Sequence, residues 1–317
     1  MDKRRVLLIT PSTFGYENRI EAALRDAGHV VDRIDERFGN DFVSKVAIRL
    51  GLARYVPGRL MAHVHKIINQ AQALQADTIL LLDPETLQGP ELEQIMAAVP
   101  QAELIIYTWD CAARKPISRQ MLDLAAAAYS FDPVDCVQTR DLRHLPLFHT
   151  HDTFPDQTDA DLIYDFSFIG TARVNRLLML RRLEKILLRQ GQPYFFYLYT
   201  QSLYHQLVYR ILGWIVGFQS PISRSAVPYS DYLKTIAQTR CVVDIEFADQ
   251  SGLTMRTFEV VFAGKGILTT NPTLEGYDFY DPARMKIMVP GQTDLPASQD
   301  LASGCDRQAA PILAPAS

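Results

Sequence analysis

The sequence predicts an α/β protein of two Rossmann-like lobes facing a central cleft. Three observations predict it. Short apolar runs alternate with segments of helical period through the first half of the chain. The alternation stops in a polar, proline-containing stretch after Phe148. It then restarts and runs to about Val289. Strand–helix alternation implies a parallel sheet covered by helices on both faces, with ligands bound beyond the carboxyl ends of the strands.

In the first lobe, strands are expected at Val6–Thr10, Val30–Ile34, Thr78–Asp83, Leu104–Trp109, Ala128–Phe131 and Leu145–Phe148. Helical segments lie at Asn18–Ala27, Pro90–Ala98 and Ser118–Ala126, and along Asp41–Leu74, where Pro57-Gly58 breaks the run. In the second lobe, strands are expected at Asp165–Ile169, Tyr194–Tyr199, Cys241–Phe247, Gly266–Thr270 and Met285–Val289. Helices are expected at Arg173–Arg189, Ser202–Val216, Tyr229–Gln238 and Thr254–Ala263, with a loop at Gly217–Pro228. The domains therefore read as residues 1–150, a linker at 151–163, a second lobe at 164–290 and a tail at 291–317. The tail is rich in Pro, Ala and Ser without apolar period. It is expected to be disordered and leaves the second lobe truncated, without a final helix.

Composition narrows the function. With 317 residues, 48% hydrophobic and 21% charged, the chain has a globular balance. A formal charge of −4 gives no reason to expect a nucleic-acid partner. Cys111, Cys136, Cys241 and Cys305 lack metal-ligand spacing, and the first three are expected to be reduced thiols in or beside apolar runs. The first apolar run is too short for a signal peptide, and no run reaches the roughly 20 apolar residues of a membrane span. The expected location is the cytoplasm, with peripheral contact at the inner membrane surface as an added expectation.

The chemistry concentrates in Cys241–Asn271. A buried strand leads into Ala248-Asp249-Gln250-Ser251-Gly252, then a helix with Thr254 at its N-cap and Gly264 just past its end. A helix N-terminus behind a glycine-containing loop suits a phosphate. Arg256, in the first turn, could add a bidentate contact to a diphosphate, and Glu259 three residues on could accept from ribose hydroxyls. Residue by residue, a second reading stands beside this one: Arg256 and Glu259 form a surface ion pair.

The string Gln250-Ser251-Gly252-Leu253-Thr254-Met255-Arg256-Thr257-Phe258-Glu259, with Ala263-Gly264-Lys265 and Leu268-Thr269-Thr270-Asn271, resembles a donor-site signature. The family is a bacterial GT-B glycosyltransferase family of capsule, exopolysaccharide and lipopolysaccharide synthesis, related to CgeB-like spore-maturation glycosyltransferases. Tyr16-Glu17, Val31–Asn40, Tyr129–Asp135, Leu145–Phe148, Tyr164–Thr171 and Tyr277–Pro282 resemble the same family in order along the chain. The resemblance implies a metal-independent transferase that takes a sugar from a nucleotide-sugar to a surface-glycan or lipid-linked acceptor, with no further cofactor. It implies that Glu259 holds the donor ribose and Arg256 the diphosphate. Ser251, Gly252 and Thr254 would line the phosphate loop, and Gly170 and Thr171 a loop facing the cleft. A GT-B epimerase and an inactive nucleotide-binding or assembly protein are the alternatives.

Two first-lobe carboxylates are candidate bases for an inverting transfer, Asp110 after its strand and Glu17 after the first strand. Each has a structural reading too, as a helix cap and a first-turn residue. Asp159-Ala160-Asp161 has a metal-like spacing but falls in the linker, and His63/His65 and His149/His151 do not converge on a helix, so no metal is assigned. Arg173, Arg176, Arg182, Lys185 and Arg189 read as a solvated helix face, with an anionic membrane surface or an acceptor diphosphate as the alternative. Leu203, Leu207, Ile211 and Ile215 read as core-facing, with membrane contact as the alternative.

Overall fold

A computed structural model of the chain describes residues 3–12, 15–39, 57–149, 162–247 and 249–288. Most of the predicted linker, the whole of the predicted tail, Asp159, Asp161, His151 and Cys305 lie outside the described residues. The backbone divides into two compact units. Unit 1 comprises Met1–Leu147 together with Asp249–Gly252, and unit 2 comprises Phe148–Ala248 with Leu253–Ser317.

Unit 1 carries a six-stranded parallel sheet in the order β2-β1-β3-β4-β5-β6. The strands are β1 (Arg5–Thr10), β2 (Val30–Asp35), β3 (Thr78–Leu82), β4 (Glu103–Thr108), β5 (Ala127–Ser130) and β6 (Leu142–His144). The helices are α1 (Tyr16–Asp26), α2 (Pro57–Leu74), α3 (Gly89–Ala98), α4 (Arg119–Leu124) and α5 (Pro133–Gln138). Val6-Leu7-Leu8-Ile9 is buried along its whole length, as a strand covered on both faces must be. Leu7, Ile9, Ile79, Leu81 and Ile106 pack against Val64 and Ile67 of α2 and Ile95 of α3. Pro57 is the first described residue of α2, and proline is tolerated at the first helical position. The last strand falls three residues before its expected place, and α5 was not foreseen. It is short, with Asp132 capping its first turn through Val134 N.

Unit 2 carries a second six-stranded parallel sheet in the order β12-β11-β10-β7-β8-β9. Its strands are β7 (Tyr164–Thr171), β8 (Tyr194–Tyr199), β9 (Ile222–Ser223), β10 (Thr239–Asp244), β11 (Gly266–Thr269) and β12 (Met285–Ile287). Its helices are α6 (Val174–Gln190), α7 (Leu203–Val216), α8 (Tyr229–Ala237) and α9 (Met255–Phe262). β9 lies inside the segment expected to be a loop; two residues leave no period to read. Phe166, Phe168, Phe196 and Leu198 meet Leu177, Leu180, Leu183 and Leu187 of α6 in the core. The chain runs β7, β8, β9 in one direction and then returns to lay β10 on the other side of β7. The order reverses between β7 and β10, and such a switch point is where open parallel sheets bind ligands.

Two expectations for the helices of unit 2 are corrected. Arg176 does not lie on a solvated face: it is buried. The outer face of α7 is not in the core: Leu203, Leu207, Ile211 and Ile215 are all exposed.

Candidate functional site

The helix α9 starts as its sequence dictates. Thr254 is the N-cap, its side chain accepting from Thr257 N at 3.4 Å, and Gly264 past the end holds φ +69, which glycine adopts without strain. Asp244, at the end of β10, organises this turn. Its carboxylate accepts from Thr254 Oγ1 at 2.8 Å and Thr257 Oγ1 at 2.7 Å, and pairs with Arg256 Nη1 at 3.2 Å. Arg256 also donates to the Ile169 carbonyl at 2.5 Å. Burial works against its charge, yet Tyr232, Asp244 and Glu259 together hold its pKa above the ordinary value.

Arg176 crosses the same switch point. It donates to the Ile245 carbonyl at 2.8 Å and to the Thr171 carbonyl at 3.3 Å, so it ties the ends of β10 and β7. Among the described residues it forms no ion pair with a carboxylate. Burial, then Arg256, then Arg173 pull its pKa down to about 9. Arg176 and Arg256 both lie over the Phe168 ring, at 5.7 and 5.1 Å, and Arg173 lies over Phe247 at 3.1 Å. Three guanidiniums thus gather at the carboxyl ends of two neighbouring strands, where an anion would relieve their mutual repulsion.

Gly170 and Thr171 are the last two residues of β7 rather than a separate loop. A side chain on Gly170 would meet the Phe168 ring at 2.8 Å and approach Arg176. Glu259 is buried on the second turn of α9, where Tyr229 and Tyr232 of α8 donate to its two oxygens at 2.5 and 2.8 Å. It forms no surface ion pair with Arg256. Glu246 is also buried here. It accepts from Thr270 Oγ1 at 2.7 Å and Thr269 Oγ1 at 3.3 Å, and burial followed by Asp244 pushes its pKa up to about 7.

Ser251 and Gly252 are held by Asp132. Their segment groups with unit 1, because Asp132 Oδ2 accepts from both backbone amides, at 2.7 and 3.0 Å, and Oδ1 from the Ser251 hydroxyl. A Cβ on Gly252 would lie 2.6 Å from the Phe131 carbonyl and ring. The close approach that glycine permits here is to Phe131, and both amides donate to Asp132.

In unit 1, Asp110 follows β4 and pairs with Lys115 at 3.2 Å and Arg114 at 3.5 Å. Asp83, buried at φ 47 beyond β3, accepts from the Trp109 and Asp110 amides at 3.1 Å each and pairs with Lys115. Asp83 thus fixes where Asp110 stands. Burial first raises its pKa, and Lys115 opposes that shift. Glu17 is a first-turn residue of α1. Among the described residues no group of three or more His, Cys, Asp or Glu is close enough to hold a metal ion.

Asp244, Glu246 and the tyrosine pair were not singled out from the sequence, and Arg173 and Arg176 were read there chiefly as part of a solvated helix face. One signal was there for Arg176: it shares the i, i+4, i+7, i+11 stripe of Leu180, Leu183 and Leu187.

No family model matches the chain, and no curated protein matches it by sequence. Solved structures match its architecture. The lipopolysaccharide outer core galactosyltransferase WaaB, in its apo form, superposes with a TM-score of 0.52 at 11% identity, covering 94% of this chain and 90% of that one. The fold is GT-B-like. HepE of Anabaena in complex with UDP and glucose gives 0.51 at 12% identity, with 94% and 88% covered. The UDP-GlcNAc 2-epimerase of Methanocaldococcus jannaschii gives 0.52 at 8% identity, with 94% and 91% covered. At these identities the likeness carries to the GT-B architecture and no further.

Proposed function

We propose that unit 2 binds a nucleotide-sugar at the ends of β7 and β10, and that the chain transfers the sugar to a surface-glycan or lipid-linked acceptor. Arg176 carries the reading, as a buried guanidinium without a carboxylate partner at the switch point of a parallel sheet. The diphosphate lies against Arg173, Arg176 and Arg256, which supply the positive charge that a divalent ion supplies elsewhere. Thr254 and the end of β7 at Gly170 and Thr171 line the same site. Glu259, buried on the second turn of α9, accepts from the ribose hydroxyls. Asp110 is the base we assign, because it follows the carboxyl end of β4, where ligands of parallel sheets bind. The fold likeness to WaaB and to UDP-bound HepE supports nucleotide-sugar chemistry. The likeness to an epimerase supports a second reading, in which the same site holds the donor and the sugar is isomerised on its nucleotide.

The test is a thermal-shift screen of nucleoside diphosphates and their sugars, followed by product analysis. Binding raises Tm by mass action, about 2.7 kcal/mol at a hundredfold excess over Kd. Nucleoside diphosphate released only with an acceptor present identifies a transferase, and a recovered isomeric nucleotide-sugar identifies an epimerase. Binding without either product would leave a nucleotide-binding protein. No shift with any nucleotide would reject the donor site.

A further inference from the structure

α7 is apolar on two sides. Its inner side packs Tyr209, Leu212 and Val216 against the unit 2 core, with Gly213 buried. Its outer side carries Leu203, Tyr204, Leu207, Ile211, Trp214 and Ile215, all exposed, with Trp214 at 82% and Tyr204 at 73%. Their spacing of three and four residues makes one continuous stripe along the helix. An apolar face of this kind on a folded protein marks a surface that something covers.

The neighbouring charge says what covers it. Between Asp165 and Asp231 the chain has eight Lys and Arg residues and one acidic residue, Glu184. Glu184 is buried, accepting from Gln219 N at 2.9 Å and from Ser220 N at 3.0 Å. The exposed surface of α6 and α7 therefore presents cations and no carboxylate, although the chain has a formal charge of −4. The connections β7–α6–β8 and β8–α7–β9 advance the same way along the sheet, so right-handed crossovers set the two helices side by side on one face. Arg181 of α6 fixes that contact by donating to the Val216 carbonyl at 2.8 Å. Val174, Leu178, Arg182, Lys185 and Arg189 form the exposed stripe of α6.

We infer that the outer face of α6 and α7 docks on an anionic lipid bilayer. Leu203, Leu207, Ile211 and Ile215 enter the acyl boundary, Tyr204 and Trp214 sit at headgroup level, and Arg182, Lys185, Arg189 and Arg210 meet lipid phosphates. A second copy of the chain fits less well. A two-fold interface meets its own surface, so the basic stripe would face a basic stripe. The inference is independent of the nucleotide-sugar reading, because docking requires no donor.

The experiment is partitioning of the full chain onto phosphatidylcholine vesicles with and without phosphatidylglycerol. Wild type is expected on the phosphatidylglycerol vesicles, with binding weakened by salt. A basic residue at such a surface contributes about a fivefold factor in partitioning, so Arg182→Gln, Lys185→Gln and Arg189→Gln together cost on the order of a hundredfold. Ile211→Asn with Trp214→Ser removes binding while leaving the melting temperature unchanged, since both side chains are exposed. In a Trp109→Phe background, Trp214 is the sole tryptophan, and its emission moves to the blue on docking. Absence of wild-type partitioning, or undiminished partitioning of the triple variant, overturns the inference. So does a wild-type dimer that Ile211→Asn/Trp214→Ser dissociates while vesicles bind neither form.

Discussion

Arg256 Nη1 lies 3.2 Å from Asp244 Oδ1, so one ion pair joins the first turn of α9 to the end of β10. The same carboxylate takes the hydroxyls of Thr254 and Thr257. Asp244→Ala leaves a buried guanidinium and two hydroxyls without their acceptor. Removing one partner of a buried pair costs about 3–5 kcal/mol. Urea unfolding should show a loss of that size, and a loss under 1 kcal/mol would mean that the pair does not organise the turn (about the worth of a surface pair).

Arg176→Met should weaken nucleoside diphosphate binding at least tenfold, since a hydrogen bond to a charged group contributes about 1.5–3 kcal/mol. Binding titrations with the wild type in parallel measure it. Unchanged affinity would remove Arg176 from the site.

Glu259→Gln separates structure from binding. A glutamine oxygen still accepts from one tyrosine hydroxyl, and its amide donates to the other, so stability is largely kept. The charge that the ribose hydroxyls would meet is lost, and with it most of the nucleotide-induced rise in Tm. Glu259→Ala, by contrast, removes the carboxylate that accepts from both the Tyr229 and Tyr232 hydroxyls and should cost about 1–3 kcal/mol. A Glu259→Gln protein that keeps its full nucleotide shift would assign the residue to packing alone.

Glu246 makes stability depend on pH. Its folded-state pKa of about 7 lies above the ordinary 4.5, so between those values the folded chain holds a proton that the unfolded chain has released. The stabilisation from this group is complete below pH 4.5 and is lost as pH rises through about 7, at about 1.4 kcal/mol per unit of pKa difference. Glu246→Gln should flatten that fall and be the more stable protein at about pH 8. Parallel pH profiles of the two proteins would contradict this.

Gly252→Ala tests the other end of the loop. The new methyl would lie 2.6 Å from the Phe131 carbonyl, which cannot swing aside as a side-chain tip can. Overpacking of this kind costs about 1–3 kcal/mol, and thermal unfolding should register it.

The alternation of strands and helices was legible because parallel-sheet strands are apolar throughout and α/β helices carry a single stripe. Local end signals were legible too, with Thr254 and Gly264 standing where the cap and the closing residue belong. Burial was harder. Arg176 sits on an apolar stripe, but charge favours a solvated assignment until Ile245 and Thr171 are seen to receive its donors. α7 offers apolar residues on both sides, and periodicity does not tell which side meets the core. The capture of Ser251 by Asp132 joins residues 119 apart, and nothing in either neighbourhood announces it.

Arg176 and Ile245 are 69 residues apart, and β10 pairs with β7 only after β8 and β9 have been made. As the chain leaves the ribosome, the arginine emerges well before the carbonyl that will orient it. A product ending at β9 would own the helix and half the sheet, yet would lack one wall of the cluster. Long-range strand insertion is also among the slower folding events. The arginine cluster is therefore incomplete until β10 and α9 have joined β7, which makes it a reporter of the long-range strand pairing at the centre of the second sheet.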